Sequence, residues 1–183
     1  SDGSKIQMAT LGGGCFWCIE GTLRLLKGVQ EVISGYSGGT TENPTYDEVC
    51  SKKTGHIEVV QITFDSTVIS YKQLLEVFFS MHNPTTLNRQ GNDAGEQYAS
   101  VIFYHSDDQK QVADELIAEL DREKIWSDPV VTKVLPLTKF WQAEISHQNY
   151  YENNSWQPYC QVVIEPKITK MREKWKYLLK ENA

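Results

Sequence analysis

The sequence predicts an α+β protein: a two-layer α/β sandwich with a ferredoxin-like βαββαβ core, a less regular C-terminal extension and a terminal helix. Three observations carry this. The elements read in the order strand-helix-strand-strand-helix-strand, as apolar residues switch between alternating and helical spacing. Stretches rich in turn formers punctuate the switches. And 183 residues, 40% of them hydrophobic and 23% charged, can bury a core without disulfide staples. One domain is therefore expected over residues 1–183, with its core at about 5–160 and its terminal helix at about 165–181.

Taken in order, KIQMATLG (5–12) reads as a strand running into the glycines at 12–14. Phe16, Ile19, Leu23 and Leu26 recur at helical spacing, and Gly28 can stop that helix. VQEVISGYSGG (29–39) reads as a second strand, and GGTTENPTY (38–46) as a loop. HIEVVQITF (56–64) is the clearest strand, and SYKQLLEVFFSMH (70–82) the helix after it. A polar loop, NPTTLNRQGNDAGEQ (83–97), leads to a strand at YASVIFYH (98–105), a helix at 107–125 and a strand at 130–138. The rest reads as loop until Ile168, Met171, Trp175 and Leu178 mark an amphipathic surface helix, the only basic run.

A net charge of −6 gives no reason to expect nucleic acid as a partner. No apolar run is long enough to span a bilayer, and no secretory leader with an apolar centre is visible. The opening SDGSKIQ leaves a removed targeting leader open. Four cysteines are too few for a disulfide framework and suggest a reducing compartment, so the expected location is the cytoplasm.

The chemistry concentrates in GGGCFWCIE (12–20). Cys15 stands where a glycine turn becomes a helix, a place that lowers a thiol's pKa through unpaired N–H groups and the helix dipole. Cys18 is three residues on, a separation that can close a disulfide. On the strand at 56–64, alternation puts Glu58 on one face with Val60, Ile62 and Phe64. A carboxyl placed there is desolvated and holds its proton, while a strand-end glutamate reaching solvent or a lysine is the other reading. The loop with Asp93 and Tyr98 is either a hydrogen-bonding site or a solvated loop, and Tyr46 either packs or binds.

Other readings fit less of the pattern. Zinc needs a second ligand pair at suitable spacing, and Cys15/Cys18 has none, so no metal is expected. A Cys-His-Asn hydrolase could use His56, His82 or His147, with nothing local to favour one. A thioredoxin-like disulfide oxidoreductase on Cys15/Cys18 and a binding module for oxidised proteins remain alternatives.

Together these stretches resemble the methionine sulfoxide reductase A family. The likeness rests on GGGCFWCIE, GYSGGTTENPTYDEVCSKKTGHIEVV, FDSTVISYKQLLEVFFSMHNPTT and NRQGNDAGEQYAS, and more weakly on FWQAEISHQNYYENN and PYC, in order over residues 8–160. The resemblance implies reduction of free and protein-bound methionine S-sulfoxide, repair of an oxidative lesion. It implies Cys15 as the nucleophile, Glu58 as the acid, and Tyr46 and Tyr98 as hydrogen-bond donors to the sulfoxide oxygen. Asp93 would organise the polar side, and Phe16 and Trp17 would receive the S-methyl group. It implies Cys160 as the resolving cysteine, with Cys18 as the alternative, no bound cofactor, and thioredoxin as the external reductant of a monomer. Cys50 would be structural. Asn83 and Ala99 depart from the family's usual Asp and Arg and bear on the polar loop.

Overall fold

The computed structural model describes residues 5–183; the SDGS opening lies outside them. The protein has a mixed α/β fold around a six-stranded sheet, with strand order β7-β6-β1-β3-β2-β8. Strand β1 (Ile6–Gly12) runs antiparallel to β3 (Ile57–Asp65), with Leu11 opposite Val60. On the other side of β3 lies β2 (Val29–Ser37), also antiparallel, with Tyr36 opposite Glu58. Strand β6 (Val101–Tyr104) pairs antiparallel with the free edge of β1.

Strand β3 is the most buried of these, because both of its faces are covered. Val60, Ile62 and Phe64 enter the main core beneath the helices, while Ile57 and Val59 form a second cluster with Ala99, Val101 and Phe103. Only the alternate residues from 58 to 64 were expected to be covered; the second cluster covers the other face at Ile57 and Val59 as well.

Helix α1 (Phe16–Leu23) follows the glycine turn and buries Phe16, Ile19 and Leu23 in the main core. Burying a side chain of that size contributes about 1.5–3 kcal/mol, so this face of α1 is firmly seated. Helix α3 (Tyr71–Ser80) begins at Ser70, whose hydroxyl accepts from Gln73 N–H while the Gln73 side chain accepts from Ser70 N–H. This capping box fixes the start one residue beyond the sequence estimate. Helix α4 (Asp107–Arg122) is capped by Ser106.

Several elements differ from expectation. The loop read at 38–46 ends in a short helix, α2 (Tyr46–Cys50), started by a Thr45–Glu48 capping box. The polar loop at 83–97 contains a two-residue hairpin, β4 (Arg89–Gln90) with β5 (Asp93–Ala94). The strand expected at 130–138 shortens to β7 (Lys133–Pro136), parallel to β6, and β8 (Phe140–Gln142) extends the opposite edge beside β2. The C-terminal extension holds α5 (Tyr150–Asn154) and a π-helical turn, Cys160–Ile164, that leads into α6 (Glu165–Lys174). The terminal helix thus ends before Trp175, whose backbone leaves the helical region, and a 3₁₀ turn over Lys176–Leu178 follows. Ile168 and Met171 are buried as their spacing implied. No helix among the described residues is long and apolar enough to cross a membrane.

Candidate active site

The site begins with the turn between β1 and α1. A side chain at Gly13 would place its Cβ 2.8 Å from the ring of His82, and Gly14 has φ +95°, a conformation other residues resist. Glycine here brings the backbone close enough to His82 to point Cys15 inward. Cys15 occupies the N-cap of α1, but its side chain caps no N–H, and it is only 7% exposed.

Its thiol is not the acidified one that the helix start suggested. Burial, the hydrogen bond to Cys18 and the nearby Glu58 carboxyl push the Cys15 thiol well above its usual range, outweighing a backbone N–H from Trp17. The Cys18 thiol moves the other way, down to about 7, because it receives the Cys15 hydrogen bond and faces Lys167 and Tyr159. The dithiol pair therefore loses its first proton at Cys18. Burial defeats the dipole at one sulfur, and the neighbouring sulfur gains what the first one loses.

Glu58 is fully buried near the start of β3. Its Oε1 accepts from the Phe16 N–H at 3.1 Å, and its Oε2 has no partner. Burial raises the carboxyl to about 8, so it holds its proton at neutral pH. The strand-end reading, with the carboxylate in solvent, is overturned. Tyr46 and Tyr98 lie close enough to Glu58 to feel its charge, and burial raises both phenols, keeping their hydroxyls protonated. The Tyr46 hydroxyl is hydrogen-bonded to the Cys50 thiol, which ties Cys50 to the site's rim.

The aromatic side is a stack. Phe16 packs against Tyr36, Tyr46 and His147 at centroid distances of 5.6, 6.3 and 5.5 Å. The Trp17 ring lies flat on Tyr150 at 3.7 Å, and its Nε1–H donates to His147 Nδ1 at 3.1 Å. The segment carrying His147 and Tyr150 is held from beneath. Gln148 exchanges hydrogen bonds with both backbone groups of Ser34, and the Asn149 N–H donates to the buried Glu20 at 2.8 Å. None of His147, Tyr150 or Glu20 was singled out for this role from the sequence. The aromatic density of HQNYYENN was the available signal.

On the opposite side of the two sulfurs lies a cavity of about 560 Å³, bounded by Cys15, Cys18, Asp93, Tyr159, Lys167 and Trp126 among others. Tyr159 donates to Asp93 Oδ2 at 2.8 Å, and its oxygen lies 3.6 Å from Cys18 Sγ. Cys160 is wholly buried at the start of the π-helical turn. All four cysteines are free thiols.

The structure thus brings together Cys15, Cys18, Phe16, Trp17, Tyr46, Glu58, Asp93 and Tyr98. The histidines needed by a hydrolase are engaged elsewhere. His56 accepts from the Gly39 N–H and donates to Thr41 O; His82 lies between Phe78 O and the Ser100 hydroxyl; His147 serves Trp17. Asn83 turns the polar loop by accepting from the Thr85 N–H at its side chain and donating its own N–H to Gln90 Oε1, and Ala99 is buried in the second cluster.

A thiol pair, a protonated buried carboxyl, phenolic donors and an aromatic box suit reduction of an S–O bond beside a small apolar group. The comparisons agree. A model of the peptide methionine sulfoxide reductase family matches residues 7–179. The chain is similar to the peptide methionine sulfoxide reductase MsrA of Polynucleobacter asymbioticus, 51% identical over 174 residues, which cover 95% of this chain and 92% of that one. It is 53% identical to the MsrA of Saccharolobus solfataricus over 165 residues, 90% of this chain and 92% of the relative. Its fold is similar to that of reduced Mxr1 from Saccharomyces cerevisiae, with TM-score 0.80 and 32% identity over 86% of this chain and 90% of that one. On these grounds the chain belongs to the peptide methionine sulfoxide reductase A family and is an oxidoreductase.

Proposed function

We propose that the protein reduces free and protein-bound methionine S-sulfoxide through Cys15, as one catalytic unit that includes its C-terminal segment. The observation that carries the residue roles is the protonated Glu58 carboxyl, buried beside the Cys15 turn with one oxygen unpartnered. A sulfoxide oxygen leaves only once protonated, so a neutral acid at this point is what the step needs. Cys15 passes its proton to Cys18 and attacks the sulfoxide sulfur while Glu58 protonates the oxygen. Tyr46 and Tyr98 donate to that oxygen as charge develops. Phe16 and Trp17 receive the methyl group, and Asp93 orders the polar side. The products are methionine and a sulfenic acid on Cys15.

A second thiol then condenses with the sulfenic acid, releasing water. The hydrogen bond between Cys15 and Cys18 favours Cys18 for this step over the fully buried Cys160, which the sequence resemblance put first. The resulting disulfide takes two electrons from an external dithiol of the thioredoxin class. Neither a metal nor an organic cofactor enters this scheme. We read the protein as a cytoplasmic monomer that does not engage nucleic acid or membrane. The order β6-β1-β3-β2, with helices connecting β1 to β2 and β3 to β6, supports a ferredoxin-like description of the core.

Peptide mapping after one equivalent of methionine S-sulfoxide, without reductant, tests the scheme. A Cys15–Cys18 disulfide and one methionine are expected. A Cys15–Cys160 disulfide would return the resolving role to Cys160, and no oxidation of Cys15 would remove it as the nucleophile.

A further inference from the structure

The thiol pair is the start of a directed hydrogen-bond chain that ends on a carboxylate. Asp93 accepts the single hydroxyl hydrogen of Tyr159 at 2.8 Å. An ionised carboxylate can only accept, so the Tyr159 oxygen is left with lone pairs for the group on its other side. That group is Cys18 Sγ, 3.6 Å away, within the range of sulfur hydrogen bonds. Cys18 in turn accepts from Cys15. Every link points the same way: Cys15 S–H to Cys18 S–H to Tyr159 O–H to Asp93.

We infer that Tyr159 is a positioning residue that passes the Cys18 proton to the Asp93 carboxylate, so that Cys18 meets the Cys15 sulfenic acid as a thiolate. This rests on Cys18 being the resolving thiol, as proposed above. When the proton moves, the whole chain reverses. Asp93 O–H donates to Tyr159, and Tyr159 O–H donates to the Cys18 thiolate, which is stabilised as it forms. The thiolate then attacks the Cys15 sulfur. An S–S bond forms and the S–O bond breaks; Cys18 is oxidised, the sulfenic sulfur is reduced, and the departing hydroxide takes back the relayed proton to leave as water.

Tyr159 suits a relay rather than a base. Burial, with both thiols and Asp93 nearby, raises its phenol far above the usual range, so it exchanges protons without becoming a phenolate. Its ring stands edge-on to Trp17 at a centroid distance of 5.8 Å, which fixes the hydroxyl between Cys18 and Asp93. The ionisable groups around Cys18 come from every element packed on it. They are Cys15, Glu58 on β3, Asp93 on β5, Tyr159 and Cys160 ahead of α6, and Lys167 on α6. His82, after α3, is held neutral by burial, down to about 4. Of these, Lys167 favours the thiolate without accepting a proton, and Glu58, ionised once it has protonated the sulfoxide oxygen, bonds the Phe16 N–H and reaches Cys18 through no hydrogen bond. Asp93 is the acceptor that the hydrogen bonds reach.

Tyr159→Phe keeps the ring and removes the relay. Ultraviolet titration of the thiolate in the reduced protein should show the first ionisation moving from near 7 toward the unassisted value of about 8.5. Asp93→Asn, which still accepts from Tyr159 but takes no proton, should slow disulfide formation, although it removes a charge that raises the Cys18 thiol. In single turnover, the sulfenic acid of the Tyr159→Phe protein should accumulate, because disulfide formation falls at least tenfold further than methionine formation. A titration that stays in place in Tyr159→Phe, or a disulfide step slowed no more than the methionine step in either variant, would overturn the relay. Failure of the functional reading looks different: the unaltered protein would then form no methionine at all, whatever its titration.

Discussion

At the scale of single residues, two neighbouring groups have been moved in opposite directions: burial lifts Glu58, and the Cys15 hydrogen bond lowers Cys18 against its own burial. Glu58 is kept protonated to about 8, and the Cys15–Cys18 pair releases its first proton near 7. The active form needs the carboxyl protonated and one thiol proton gone. Turnover should therefore rise with pH through about 7 and fall through about 8, giving a narrow bell. Glu58→Gln still offers a hydrogen bond but has no proton to give. Its rate at pH 7 is expected to fall by about 10²–10⁴-fold, the usual contribution of a general acid, and the falling limb near 8 should vanish. A pH–rate profile of both proteins checks this; an unchanged falling limb would remove Glu58 as the acid.

At the scale of elements, the β1–α1 turn is the part that tolerates least. Gly13 faces the His82 ring, which is held by Phe78 O on one side and by the Ser100 hydroxyl on the other. The ring cannot retreat without breaking one of these bonds. Gly13→Ala should therefore cost about 1–3 kcal/mol, as overpacking does, and also displace Cys15. Denaturant unfolding measures the first effect and the rate of Cys15 alkylation the second. A variant as stable and as reactive as the original would show that the turn is not close-packed.

Comparison of elements also explains what the sequence alone could and could not reveal. The β1–α1 turn, β3 and α3 were legible because each carries a local signal: a glycine run, strict alternation and a capped apolar face. Helix α2 carried one as well, the Thr45-x-x-Glu48 box, hidden behind the turn formers before it. Strand β7 was legible as a longer strand at 130–138, whereas β8 is a short edge strand whose partner β2 lies far back in the chain, so nothing local marks it. In the site, Cys15, Phe16, Trp17 and Glu58 stood out by chemistry and position. His147, Tyr150 and Tyr159 did not, since their importance comes from a long return of the chain onto α1. The acidified Cys15 expected at a helix start does not hold for a similar reason: desolvation depends on that covering segment.

At the scale of the whole molecule, the C-terminal segment is part of the core. Ile168 and Met171 of α6 are buried in the cluster that holds Phe16, Leu23 and Phe78, and the Trp175 Nε1–H donates to the Ser80 hydroxyl at 2.8 Å. Met171→Ala should cost about 2–5 kcal/mol and lower the unfolding midpoint while leaving a single transition. Far-ultraviolet circular dichroism and tryptophan fluorescence followed together would check this. Two separate transitions would mean that α6 folds as its own unit.

The central claim is that Cys15 reduces the S epimer of methionine sulfoxide, and its most direct measurement is methionine formation from the separated S and R epimers by the protein and by Cys15→Ser. Turnover of the S epimer alone is expected, with no methionine from Cys15→Ser. Turnover of the R epimer alone, or activity that survives the substitution, would contradict it.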